Sequence, residues 1–519
     1  MSSIINIQIE NIQKILNTMS LLNYFRTGNL ILLAIHPVTP YFHFQEIRIY
    51  KQDEQRENLL NLPYKALKDM IARKNVMVPE WNFESASNLM SRTLFGYTKE
   101  DVDIALTFTI DVYIDNHLLA DNPAPAAPGV WVDFTMNANT TERTSELMYW
   151  WYVQMLQQGH SFREKMVLFW HNHFVSGIST VNWPQRMYHQ NKLFRQFAFG
   201  NFKELTKQVT VDPAMLIYLD GYKNTAADPN ENYARELLEL FTIGIGNYTE
   251  TDVTEAARAL TGWDVENIHS YYNDADHDET DKTFMGQTGN FDYNDIIDII
   301  FQKNETAVYL CRELYTEFVY FEPDETAIAE MANILRSNDY NLKPVLSYML
   351  KETLFSNPEM KGAKIKSPVE FLITFMKQMK IETPDYEYIR RTADQLNQTV
   401  FDPPNVKGWD GDKAWISTKT LPVRHGFTDE IINGRQYFEI DIIDYARSYE
   451  SSEDAVQFVD DIISVFFTYP LSEDKKTFLL ETMLDGAVVQ DWTTYDDQAD
   501  SRLKAFFKAL LRTAEYQLA

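Results

Sequence analysis

The sequence predicts a mainly α protein: one large helical domain with long polar loops and at most a few short strands. Three observations carry that expectation. From Ser85 onward, apolar residues recur three and four apart in segment after segment, the spacing of one helix face. Several of these segments begin with capping residues or with proline at the first helical position. The composition, 45% hydrophobic and 14% aromatic, supplies enough apolar area for a sizeable core and argues against general disorder.

Taken in order, the first 80 residues stand apart. They carry nine Lys/Arg against seven Asp/Glu, whereas the whole chain has a net charge of −28. Their periodicity is weak, and the run His36-Pro37-Val38-Thr39-Pro40-Tyr41 reads neither as helix nor as a clean hairpin. Residues 1–80 are therefore expected to be an atypical, poorly ordered extension, or the product of a start assigned too early, with translation beginning near Met70 or Met77. A small accessory domain is the alternative. Residues 81–519 are expected to form the single large helical domain.

Within that domain, Ala105 to Val112 could be a strand, and Asp121 to Pro128, with three prolines, is a loop. Ser161 to Glu164 reads as a capping box leading into Met166, Val167, Phe169 and Trp170. Asn191 to Phe202, Glu325 to Leu335, Leu342 to Phe355 and Pro368 to Met379 read as further helices. Asp264 to Asn290 is polar and aperiodic, the length at which a loop is usually functional or disordered.

Composition also excludes functions. Acids outnumber bases 75 to 47, which weighs against a nucleic-acid partner, whose binding rests on Lys and Arg contacts to phosphate. Cys311 is the only cysteine, so neither an internal disulfide nor a cysteine zinc site can form. It lies on the apolar stripe Ala307, Leu310, Cys311, Leu314, Phe318 and reads as a core residue. No apolar run approaches the ~20 residues of a membrane span, so no transmembrane segment is expected. No basic region followed by a long apolar stretch marks a signal peptide, which leaves the cytoplasm as the default compartment.

The most informative segment is Asp228 to Trp263. Asp228 is placed to cap a helix, with Pro229 at its first position and Glu231 completing a capping box. Tyr233, Leu237, Leu240 and Phe241 form its buried stripe, and Gly244 and Gly246 stop it. Thr249 and Asp252 open a second helix, with Val253, Ala256, Ala257 and Leu260 on its apolar face. Glu231, Arg235 and Glu239 are spaced as a charged ladder, and Asn232 and Glu236 form a second row beside it. These polar residues either cap and bridge the helix, or face a cleft with Arg235 orienting a carboxylate.

Two histidine clusters complete the candidate chemistry. His171 and His173 lack the i, i+4 spacing of a helical zinc motif, and one of them reads more readily as a packed histidine. Asp274, Asp276, His277, Asp278, Glu279 and Asp281 form an acidic run without EF-hand spacing. Within it, His277-Asp278 is a usable acid–base or ligand unit.

These residues resemble a known family. Asp212 to Asp220, Asn230 to Glu236 and Tyr248 to Trp263 are similar to the bacterial domain-of-unknown-function family eighteen hundred. Ser91 to Gly96, Phe169 to Phe174, His277-Asp278, Lys366 to Phe371, and Asp402 to Trp409 with Trp415 add to the likeness, which runs from about Ser85 to the carboxyl end. The resemblance implies a mostly helical domain and no particular reaction. It implies that many relatives are exported and encoded beside a protein resembling alkaline phosphatases and sulfatases. It also groups His171, His173, Asp220, Asn230, Glu231, Asn232, Arg235, Glu236, His277 and Asp278 as one site.

Two functions follow as expectations. One is a hydrolase-like enzyme whose catalytic residues are Asn232, Arg235, Glu236, His277 and Asp278. A divalent metal ion would then be its cofactor, with His171, His173, Glu236 and His277 as ligands. The other is a non-catalytic helical partner that binds or matures a phosphatase- or sulfatase-like protein.

Overall fold

The structure is a computed structural model. It describes residues 80–519 except 137, 354–359, 435–437 and 439, together with three strands nearer the amino terminus. The chain divides into two units, Met1–Glu80 and Trp81–Ala519. In the first, the strands Ile31–Ala34, Glu46–Lys51 and Leu62–Pro63 form one antiparallel sheet in sequence order. The rest of residues 1–79 lies outside the described residues, as does the expectation that they are poorly ordered.

The second unit is mainly helical, as the periodicity predicts. Local chemistry writes many of its helix starts. Thr249 caps Glu250–Ala259 by accepting from the Asp252 amide, while Asp252 accepts from the Thr249 amide at 2.9 Å. Ser367 and Glu370 make the same reciprocal pair at the head of Pro368–Gln378, with proline at the first position. The helix Asn304–Phe318 carries the Cys311 stripe, and Ala307, Leu310, Cys311, Leu314 and Phe318 are all buried. Burial pushes the Cys311 thiol well above its ordinary range, so it packs as a small apolar group.

One continuous core joins these helices. Aromatic side chains dominate its centre: Trp151, Trp170, Phe162, Phe174, Phe194 and Phe202 are wholly buried, each removing roughly 150–250 Å² from water. Trp170 stacks on Phe202 with ring centroids 5.6 Å apart, and Phe174 meets Phe241 edge-on at 5.3 Å. Among the described residues, no helix is long and apolar enough to cross a membrane.

Several elements differ from the sequence reading. Ala105 to Val112 is helical, split between Lys99–Leu106 and Ile110–Tyr113, because Thr98 and Thr109 each cap a new helix start. The reading of Ser161 to Glu164 as a capping box fails. The helix begins at Arg163, and Glu164 is buried against Arg195 and Trp151, whose indole N–H donates to it at 3.2 Å. The polar stretch after Trp263 is not one loop: it folds into two hairpins, Trp263–Glu266 with His269–Tyr272 and Lys282–Phe284 with Gln287–Gly289.

Candidate functional site

The Asp228 helix start is displaced in the structure. Asp228 closes a turn with Thr225, its amide donating to the Thr225 carbonyl at 3.1 Å. The α-helix runs Asn232–Glu236, and the Asn230 side chain accepts from the Asn232 amide at 2.9 Å. Leu237–Thr242 then widens into a π-turn. A π-turn shifts the hydrogen-bond ladder by one residue, and the helix end leaves carbonyls without an intrahelical partner. Two of these carbonyls are taken from outside: Tyr309 donates to Leu240 O at 2.7 Å, and His173 Nε2 meets Phe241 O at 3.0 Å. The motif helix thus contributes to its surroundings through its carboxyl-terminal backbone.

Its polar side chains are engaged locally. Asn232 donates to Leu219 O at 3.2 Å. Arg235 pairs with Glu231 at 3.2 Å and with Glu250 at 2.8 Å, so two of the three ladder residues pair as their spacing predicts. Glu239 instead accepts from the Tyr248 hydroxyl at 2.8 Å. Glu236 is half-buried, and burial, with Glu239 nearby, raises its carboxyl above the usual range against the pull of Arg235.

Hydrogen bonds to the backbone link the start of this helix to Ala257 and Gly262. Asn224 is the hub: its side-chain oxygen accepts from the Asn230 amide at 2.8 Å, its amide donates to Ala257 O at 2.8 Å, and its carbonyl accepts from Gly262 N at 3.1 Å. Gly262, at φ +95°, passes so close to the next turn that a Cβ would stand 3.2 Å from that of His277. His277 is buried, with Nδ1 at 2.9 Å from Thr261 O. Asp278 turns the other way, to Arg258 at 2.8 Å, and with Thr280 this holds its carboxyl at about 2 despite burial. The side chains of His277 and Asp278 therefore serve different partners, while the Asp278 amide also donates to Thr261 Oγ1 at 2.9 Å.

His171 and His173 diverge from one helix into separate environments. His171 Nε2 accepts from the Phe401 amide at 3.1 Å, and burial depresses its pKa to about 3, so the ring is a neutral acceptor. His173 bridges Phe241 O and Glu313 Oε2, each at 3.0 Å. Among the described residues, no three His, Cys, Asp or Glu side chains are placed to hold a metal ion, and the proposed ligands His171, His173, Glu236 and His277 are not gathered into one set. His171 Nε2, His277 Nδ1 and both ring nitrogens of His173 are already engaged by protein groups and are not aimed at a shared metal position.

His173 borders a cleft of about 520 Å³. Several stretches of chain build it, Leu240 of the π-turn among them. The helix Arg163–His173 supplies Lys165, Phe169 and Asn172 along one face, and Asn304–Phe318 supplies Tyr309, Glu313 and Glu317 at helical spacing. Lys364 and Glu370 come from around the start of Pro368–Gln378, Arg92 from Phe83–Thr93, and Trp409, Asp410 and Trp415 from the loop after Phe401. Gly408 locks that loop: at φ +83°, a Cβ there would meet Asn172 Oδ1 at 2.2 Å, and that oxygen accepts the Trp409 amide at 2.8 Å.

The floor of the cleft is ionic. Lys165 and Glu370 are both buried and paired, Lys364 pairs with Glu317, and Lys364 also approaches Glu370 at 3.7 Å. Burial alone would raise the Glu370 carboxyl, but Lys165 and Lys364 overcome it and hold Glu370 well below the usual range. Glu313 and Glu317 remain partly exposed, with side-chain accessibilities of 37% and 41%. Lys165, Lys364, Glu313, Glu317 and Glu370 escaped the sequence reading of the site. Glu370 does lie inside the Lys366 to Phe371 match, and Glu313 and Glu317 are spaced one turn apart beside the Cys311 stripe.

The model of one family, described as a protein of unknown function (DUF1800), matches residues 88–518. The chain belongs to this family. Neither a curated protein nor a solved structure is significantly similar to the chain. The family match spans every wall of the cleft and every motif residue described above.

Proposed function

We propose that the cleft is the active site of a hydrolase-like enzyme acting on a small polar substrate, with Glu313 as general base. The observation that supports this is the His173–Glu313 pair. A carboxylate open to the cleft has one oxygen fixed at 3.0 Å from a buried imidazole, itself anchored on the motif helix. Such anchoring sets the direction in which a base accepts a proton. Glu317 stands one helical turn away, tied to Lys364. The buried ionic floor adds weight, because apolar residues of the same volume would often serve stability as well as or better than buried ion pairs.

In the step we envisage, Glu313 takes a proton from water and the water oxygen bonds to the electrophilic atom of the substrate. The bond to the leaving group breaks with its electron pair, and the leaving group carries away the proton from Glu313. Lys364 faces the charge that develops on the substrate. The His/carboxylate unit is thus drawn from His173 and Glu313, with Asn232 and Arg235 holding the helix whose Phe241 carbonyl seats His173.

The test is turnover of chromogenic carboxylic esters, phosphate esters and glycosides by the full chain. One substrate class should be hydrolysed, with kcat falling roughly 10²–10⁴-fold in Glu313→Gln while KM changes little. Absence of turnover across all three classes, or an undiminished Glu313→Gln variant, would overturn the reading. His173→Gln should lower kcat less and leave the protein folded, as expected of a positioning residue.

A further inference from the structure

The charges under the cleft do not balance. Five cationic side chains lie within electrostatic reach of Glu370: Arg92, Lys165, Lys364, Lys366 and Arg424. Four of them are buried outright, and Lys364 is largely so. Among the described residues, the carboxylates that face them are Glu370 and Glu317, with Glu313 on the same cleft wall engaged by His173. Uncompensated charge away from water is costly, and a site relieves it by shedding protons or by taking up a counter-charge. The first device is visible behind the floor. Burial, with Arg424 and Lys165 adding to it against Glu370, draws the Lys366 amine down to about 7. Where the cleft opens, Glu317 and Glu370 raise Lys364 above its ordinary range in spite of burial, whereas burial lowers Lys165 and Arg92.

Arg92, Lys165 and Lys364 line the buried side of the cleft together with Glu317 and Glu370, whereas Lys407, Asp410 and Asp412 line it on the loop that carries Trp409 and Trp415, with Lys407 at 3.7 Å from Asp410. The cleft thus has a buried ionic side rich in cations and an aromatic, mixed-charge side on the loop.

We propose that the floor receives an oxyanion head of the substrate, a carboxylate or a phosphate, with Lys364 as its direct partner and Arg92 and Lys165 supplying the field behind it. This rests on the reading of the cleft as the substrate site and adds the substrate class: a small anionic molecule that enters head first. Glu317 acts as the resident counter-ion that the incoming anion displaces from Lys364. An anion in the floor would extend past Glu313, which stands one turn before Glu317 on the same helix, so its far end would lie beside the aromatic loop.

The test is calorimetric titration of the full chain with inorganic phosphate and, separately, with benzoate, at low and constant ionic strength. At least one anion should bind at millimolar concentrations or below. Lys364→Gln should weaken that binding about tenfold or more, whereas Glu317→Gln should tighten it several-fold, because it removes the competing carboxylate. The opposite signs separate a direct contact from general damage, and melting curves check that both variants fold. Tighter phosphate identifies a phosphate head, and tighter benzoate a carboxylate head. Absence of binding by either anion, or equal binding by wild type and Lys364→Gln, would overturn the inference. Turnover is not part of the readout. A chain that binds anion through Lys364 but hydrolyses nothing keeps this inference and loses the reaction, and Glu313-dependent turnover without anion binding does the reverse.

Discussion

The motif-rich wedge around Asn224, Gly262 and His277 and the ionic floor of the cleft are both dense in polar residues, yet they use them oppositely. In the wedge, partners are near in sequence: Asn224 and Asn230 are 6 residues apart, and Thr261 and His277 are 16 apart. Each of these bonds has a backbone group on one side, and the result is turns, caps and a junction of loops. In the floor, partners are remote: Lys165 and Glu370 are separated by 205 residues, and Arg92 reaches Met360 across 268. Lys165 bonds to Glu370 and Lys364 to Glu317 beside a space open to solvent, while Arg92 holds the Met360 carbonyl. A dense local motif can thus be architecture, while the chemistry gathers where distant segments meet.

The sharpest way to break the comparison is Glu370→Gln. It leaves Lys165 buried without its counter-charge, a loss of roughly 3–5 kcal/mol. Chemical denaturation should show a large drop in midpoint with the slope unchanged. A loss below about 1 kcal/mol would mean that the floor relaxes into water and is no more demanding than a surface pair.

Next in size is Gly408→Ala. The added methyl would occupy the position of Asn172 Oδ1 and would require φ near +83° of an alanine. The expected cost is about 1–3 kcal/mol of strain, with loosening of the Trp409 loop that walls the cleft. Gly411, at φ +73° with nothing within 4 Å of a built Cβ, is the control: Gly411→Ala should lose only the backbone contribution, about 1 kcal/mol. Equal losses at the two glycines would show that crowding against Asn172 contributes nothing.

What was legible in the sequence follows the same division. The Thr249–Asp252 cap, the Cys311 stripe and the Pro368 helix were readable because each is set by residues within one or two turns. The Asp228 start misled because Pro229 fits a first helical position and also a turn, and the Thr225–Asp228 bridge decides for the turn. The π-turn at Leu237–Thr242 leaves no periodic trace, since Leu237, Leu238 and Phe241 are apolar in either winding. Of the candidate site, His173 was found as one of a histidine pair. Glu313, Lys165, Lys364 and Glu370 were not, because an ion pair spanning 205 residues has no local signature.

His171 makes a contribution that depends on pH. His171 titrates near 3 in the folded chain and near 6.5 unfolded. Between those values the unfolded state holds the proton and the native state does not, so stability falls as pH drops through this window. The slope is at most about 1.4 kcal/mol per pH unit. His171→Gln keeps a neutral acceptor for the Phe401 amide and should flatten the acid limb of a plot of stability against pH. A limb of unchanged steepness would place its origin in other groups.

The smallest expected effect tests the wedge itself. Arg235 pairs with Glu231 and Glu250 at the surface, and Glu250 has a side-chain accessibility of 78%. Exposed pairs contribute about 0–1 kcal/mol, and salt screens them further. Arg235→Ala should therefore cost at most about 1 kcal/mol, less at high ionic strength, and leave any turnover in the cleft within about twofold of wild type. Were Arg235 to hold the substrate directly, the same change would cut kcat/KM by orders of magnitude with stability nearly intact. The two outcomes differ in kind, so this mild variant decides whether the Asn-Glu-Asn-x-Ala-Arg-Glu segment is the scaffold of the site or part of its chemistry.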